Sequence, residues 1–196
     1  MLTFMAAVFF LLITPGPGVL TTAGVGAGFG FKAGARYTLG IVAGTVLVMI
    51  LIASGLAAVL FTLPGLRIAL LIGSTLYLLW IAYKVAASGN RVGFMEAERA
   101  PQFHDGFLLS LINPKGFAVF TTLFSSFPLY PDNLLVENVI KGMLFVSVSL
   151  PVHFLWLYAG ISLKRLAPSE GTARAINYAM AAALVVVVLL AVGAQL

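Results

Sequence analysis

Four stretches of this chain carry no charged residue at all: Met1 to Phe31, Tyr37 to Leu66, Gly142 to Leu163 and Ala175 to Leu196. Each is at least as long as the ~20 residues that a helix needs to cross bilayer hydrocarbon. Composition points the same way. The chain is 61% hydrophobic and 9% charged, whereas soluble domains carry roughly 25% charged residues. The expected fold is therefore an all-α integral membrane protein, a single membrane domain over residues 1–196. A β-barrel would need segments of about ten residues with strict apolar/polar alternation. Runs such as Val46 to Ile52 and Ala182 to Val192 are instead apolar on every face.

Hydropathy places six transmembrane helices, at Leu2 to Thr22 (interrupted), Tyr37 to Phe61, Leu66 to Ala87, Gly106 to Phe127 (interrupted), Val139 to Ser162 and Ala175 to Gln195. The first, third and fifth loops hold Lys32, Arg36, Lys84, Arg91, Arg99, Lys164, Arg165 and Arg174, against Arg67 and Lys141 in the second and fourth. Cytoplasmic loops carry the excess of Lys and Arg. Both termini, and the acidic turn from Pro131 to Glu137, are thus expected outside. The net charge of +5 is topogenic on this reading. No basic run interleaved with exposed aromatics suits a nucleic acid. Cysteine is absent, which excludes disulfides, thiol redox chemistry and thiolate metal sites. Met1 to Thr14 has no positive start, so a cleaved secretory signal is not expected.

Sliding the chain by 99 residues aligns Leu12-Ile13-Thr14-Pro15 with Leu111-Ile112-Asn113-Pro114. Each element lies in the first span of its half, so half-repeats at about 1–97 and 98–196 would enter the membrane from opposite faces, a 3+3 inverted-topology repeat. Pro15 and Pro17, flanked by Gly16 and Gly18, should break the first helix, and Pro114 with Gly116 the fourth, since proline removes a backbone donor and clashes with the carbonyl four residues back. Both breaks fall about ten residues into their spans, or ~15 Å, near the midplane. Unpaired backbone at that depth must be covered by protein or line a wet cavity. A lone proline kink usually only shapes a bundle. Two breaks at one depth, one of them bearing a charge, point instead to a translocation path through Thr14, Pro15, Gly16, Pro17, Gly18, Asn113, Pro114 and Lys115.

Lys115 is the only ionisable side chain expected near the midplane. Placing lysine there costs ~2.5–3.5 kcal/mol on insertion scales, so such residues face a cavity or a partner and carry a role. It would bind a substrate carboxylate or titrate during proton coupling; the bland alternative is snorkelling to a border. His153, beside Pro151, could relay protons or simply pack against a carbonyl. Gly24, Gly26, Gly28 and Gly30 miss the dinucleotide-loop spacing and follow no strand, which leaves a flexible connection after the first span. Gly40 and Gly44 form a small-xxx-small pair for close helix packing, within one chain or between the copies of a homo-oligomer.

Thr14 to Gly18 (TPGPG), the spaced glycines Gly30, Gly34, Gly40 and Gly44, the run Gly73 to Lys84 and Gly106 to Lys115 (GFLLSLINPK) together resemble the LysE/RhtB amino-acid exporters. The resemblance covers the first 127 residues; the last third adds only hydropathy. It implies a multi-pass protein of the bacterial inner membrane, embedded in lipid, that expels amino acids or similar metabolites by secondary transport with proton exchange. It implies neither ATP nor a bound cofactor. It also implies that the Pro-Gly-Pro and Asn-Pro-Lys breaks belong to the path. One departure stands out: the family commonly shows Asp or Asn after Pro-Gly-Pro, where this chain has Gly18, which argues against a basic amino acid as cargo. The competing class is a passive channel or ion-handling pore. An enzyme is not expected, because no acid/base pair, metal triad or activated nucleophile appears.

Overall fold

The computed structural model describes residues 1–14, 16–56, 64–87, 99–166 and 169–193. All regular structure among them is helical: α1 (Leu2–Ile13), α2 (Pro17–Ala53), α3 (Pro64–Ala87), α4 (Phe103–Ile112), α5 (Pro114–Ser126), α6 (Leu134–Arg165) and α7 (Glu170–Gly193). Two of them, α2 and the Leu134–Leu163 portion of α6, are long and apolar enough to cross a membrane, and α1 and α4 are shorter apolar helices.

The expected breaks are real interruptions. α1 stops at Thr14, whose backbone is extended (φ −66°, ψ 127°), and α4 stops at Asn113 in nearly the same conformation (φ −81°, ψ 105°). A residue that precedes proline is pushed out of the helical region, and both of these do. Pro17 and Pro114 then open α2 and α5, a position where the missing N–H has no intrahelical partner to lose.

A straight helix of 37 residues would be ~55 Å long, far beyond a bilayer core. α2 avoids this at Gly30, whose backbone (φ 78°, ψ −172°) leaves the helix in a region open to glycine at no steric cost. The chain doubles back there, so that a side chain begun at Gly18 on the first leg would lie 3.8 Å from Ile41 Cγ2 on the second. This corrects the expectation of a flexible glycine connection. Gly24, Gly26 and Gly28 are helical, Gly24 and Gly26 are buried, and only Gly30 turns. The reason is packing: a Cβ on Gly26 would sit 2.7 Å from the Leu157 carbonyl oxygen of α6.

Helix ends also lie further out than hydropathy placed them, because polar caps hold them. Gln102 and Asp105 form a capping box on α4, Asn133 Oδ1 accepts the Val136 N–H on α6, and Ser169 Oγ accepts the Thr172 N–H on α7. A second correction concerns Lys141, read above as a loop cation. It lies in α6 at 1% exposure, paired with Glu137 one turn earlier, and donates to the Phe124 carbonyl of α5 at 2.8 Å. Glu137 also accepts the Tyr130 N–H at 3.3 Å. A buried cation persists only with such partners. Phe61 and Gln195, the expected ends of two spans, and Arg91 lie outside the described residues.

The helices meet at small residues. A Cβ on Gly40 would strike the Phe103 carbonyl, and one on Gly106 the Tyr37 carbonyl, so the second leg of α2 and α4 lie backbone against backbone. Gly44 faces Phe107 and Ser110 in the same register. Gly160 of α6 abuts Ala23 on the first leg in the same way. Without a hydrophobic drive in lipid, such close approach and interhelical hydrogen bonds are what hold helices together. Ser110 Oγ donates to the Ile41 carbonyl at 2.8 Å across the first of these seams. α3 packs chiefly on α7. Buried apolar side chains form two clusters, one around Leu20, Ile41, Leu109 and Leu184, the other around Phe4, Val48, Phe120 and Phe145. The helix breaks lie between them.

Candidate functional site

Where the two breaks meet, the molecule forms a half-open cavity of about 80 Å³. A single water needs only ~10–15 Å³ on that measure, so a small metabolite fits. Thr14, Gly16, Pro17 and Gly18 line it from one break, and Asn113 and Gly116 from the other; the second leg of α2 adds Thr45 and Val48, and α6 adds Phe145 and His153. Leu11, Leu12, Val19, Val119 and Phe120 make the rest largely apolar.

Its polar groups are held in place. Thr14 Oγ1 donates to the Phe10 carbonyl at 2.7 Å, which spends its proton inside α1 and leaves its lone pairs as acceptors. Thr45 Oγ1 donates to Ser110 Oγ at 3.3 Å, and Ser110 donates onward to Ile41. His153 is 4% exposed; its Nδ1 lies 2.9 Å from the Ser149 carbonyl. Two helix starts also face the break. The first N–H groups of a helix have no carbonyl within it to bond, and they form its positive end. At α2 these belong to Gly18 and Val19, since the Leu20 N–H bonds the Gly16 carbonyl. Among the described lining side chains there is no Asp, Glu, Lys or Arg. Nor do three metal-binding side chains group together among the described residues. The arrangement suits non-covalent capture of a small molecule with both polar and apolar parts.

The residues nominated from the sequence divide as follows. Thr14, Gly16, Pro17, Gly18, Asn113 and His153 share the cavity. Pro15 lies outside the described residues, and so do the side chains of Pro114 and Lys115, whose backbone opens α5. Gly40 and Gly44 lie on the seam between α2 and α4 within one chain. Sequence reasoning missed Thr45, Ser110 and the Phe120–Phe145 pair. Ser110 had a signal: it follows Gly106 by four residues, the small-xxx-small spacing already noted in α2. The aromatics had none, since nothing separates a cavity wall from ordinary core in a phenylalanine-rich chain.

Two curated relatives match part of the chain, and both are named leucine efflux protein. The one from an Enterobacter species is 31% identical over 130 residues, 64% of this chain and 62% of the relative. That from Klebsiella pneumoniae is 28% identical over 131 residues, with the same shares. The match thus spans about three fifths of either relative's length. No solved structure matches significantly. The family profile of the LysE type translocators matches residues 9–196, and the chain belongs to that family.

Proposed function

We propose that this chain is a secondary transporter that exports amino acids with aliphatic side chains, or metabolites of the same shape, across the bacterial inner membrane. The observation that carries the reading is that two helix breaks half the chain apart line one cavity. Discontinuous helices meeting near the midplane are how many transporters build a substrate site. On this reading the chain crosses six times: α1 with the first leg of α2, the second leg alone, α3, α4 with α5, α6 and α7. The inverted repeat has support in the packing. α1 lies on α6 as α4 lies on the second leg of α2, and the first leg on α6 as α5 lies on α2. Positive-rich loops then face the cytoplasm and both termini the outside.

Substrate enters from the cytoplasm with its carboxylate toward the Gly18 and Val19 N–H groups at the start of α2, the positive end of α5 and Lys115. Thr14 and Asn113 supply neutral hydrogen bonds. The aliphatic chain lies against Val48, Val119, Phe120 and Phe145, and a leucine-sized group is favoured by the names of the relatives. Rocking of the halves about the breaks opens the cavity outward. Proton exchange supplies the drive, with the membrane potential adding ~2.3 kcal/mol per net charge moved per 100 mV.

The test is efflux from proteoliposomes containing the purified chain and loaded with a mixed amino-acid pool. Saturable loss of leucine, isoleucine and valine, with counterflow, and its disappearance in Lys115→Met at equal protein content are expected. Efflux that rises linearly without saturation would make the protein a channel, and efflux no faster than from empty vesicles would overturn the reading.

A further inference from the structure

The cavity holds one strong acceptor whose orientation can be deduced. His153 Nδ1 lies 2.9 Å from the Ser149 carbonyl oxygen and 3.2 Å from Ser149 Oγ. A carbonyl can only accept, so Nδ1 must carry the hydrogen; a bare Nδ1 would set lone pair against lone pair. In a neutral imidazole the other nitrogen is then an acceptor. That atom, Nε2, is the nearest neighbour of position 18 across the gap: a Cβ there would lie 3.5 Å from it. Both residues line the cavity. Glycine therefore does something specific at position 18: it keeps a side chain from packing against Nε2, which any other residue would bring into van der Waals contact.

We infer that Nε2 of neutral His153 is the acceptor for the ammonium group of an amino-acid substrate, reached through the gap at Gly18; this rests on the export reading above. An ammonium group brings three donors, and no described lining side chain is a carboxylate that could pair with it. The hydroxyls of Thr14 and Ser110 are already oriented by donating to Phe10 and Ile41, so they can complete its shell only as weaker acceptors. A charge-assisted bond to an imidazole nitrogen is roughly twice as strong as a neutral one, and His153 offers it from α6. The polar ends of a zwitterion are thereby separated, the carboxylate toward the helix starts and the ammonium toward α6. Position 18 and His153 act as a single recognition element, and an acid or amide at position 18 would block or replace it.

The experiment is leucine counterflow into proteoliposomes, with unlabelled L-leucine and isocaproate, the same molecule without its amino group, as competitors. In the unaltered protein L-leucine should compete roughly tenfold to a hundredfold better than isocaproate, the worth of one hydrogen bond to a charged group. In His153→Asn, whose short amide reaches Ser149 but not the place of Nε2, the two competitors should approach parity. His153→Gln, which reaches that place, should keep the preference, and Gly18→Asn added to His153→Asn should restore it from the other side. Gly18→Val leaves His153 intact and covers Nε2, so it gives the same answer if His153→Asn fails to assemble: loss of the preference is expected. Full preference for L-leucine in either His153→Asn or Gly18→Val overturns the inference and leaves export standing. No leucine counterflow by the unaltered chain overturns both.

Discussion

Phe120 and Phe145 meet edge to face, 4.9 Å between centroids and 83° between planes, and together close one side of the cavity. Both are buried, so Phe145→Ala should cost about 3–5 kcal/mol of stability. If the pair is the wall against which an aliphatic side chain rests, the same change should move transport preference from leucine toward phenylalanine; an unchanged preference in competition assays would remove the aromatics from the site. Glycines allow a sharper comparison. A methyl group on Gly40 collides with the Phe103 backbone, whereas one on Gly142 meets nothing within 4 Å. Gly40→Ala should therefore destabilise by about 1–3 kcal/mol, and Gly142→Ala, inside α6, should stabilise by about 0.5–1 kcal/mol. Thermal denaturation in detergent reads both. At this scale the sequence was legible wherever backbone chemistry is local. Proline and glycine announce their own breaks, so Thr14, Gly18 and Asn113 could be named in advance. It was silent on Thr45 and the phenylalanines, whose role depends on which helix lies opposite, and it offered His153 as a proton relay or a packing residue without showing what its ring would face.

Among the elements, α2 carries the most unusual construction, since one glycine folds a single helical run into two legs. Nothing lies within 4 Å of the place a Cβ would take on Gly30, so Gly30→Ala tests the backbone alone. Positive φ with extended ψ is essentially a glycine region, and holding another residue there costs roughly 1–3 kcal/mol. A loss of about that size in thermal unfolding is expected; a rise in stability would mean that the reversal does not depend on the positive φ. The buried pair at the start of α6 gives a second test. Glu137 holds the turn at Tyr130 and Lys141 holds the end of α5, so one ion pair fastens α5, the turn and α6 together. Removing one partner strands a buried charge, and replacing both does not. Lys141→Met should thus lower the melting temperature more than Glu137→Gln with Lys141→Met together. Hydropathy could find these helices because apolar length is a property of single segments. It misassigned Lys141 and the glycine run because burial of a charge or of a bare backbone is settled by the facing helix. Even so, the spacing of Glu137 and Lys141, four apart on one helix, is a pairing signal that can be read without a structure.

For the whole molecule, the question with most leverage is whether α6 crosses the bilayer alone. Its 32 residues reach ~48 Å, against ~30 Å of hydrocarbon, so both ends emerge if it stands upright. In the six-crossing arrangement the segment before α6 lies outside and the segment after it lies in the cytoplasm. The chain has no cysteine, so a single introduced one is a unique label. Asp132 and Gly171 are both exposed, and Asp132 leaves the Asn133 cap of α6 untouched. A membrane-impermeant maleimide applied to intact cells should modify Asp132→Cys at once and Gly171→Cys only after lysis. The reverse pattern would invert the orientation while keeping the fold, which would mean that the Lys and Arg of the first, third and fifth loops do not set the topology. Labelling of both from the outside would deny that α6 separates the two sides. The alternation of crossings would then fail, and with it the proposed inverted relation of the halves.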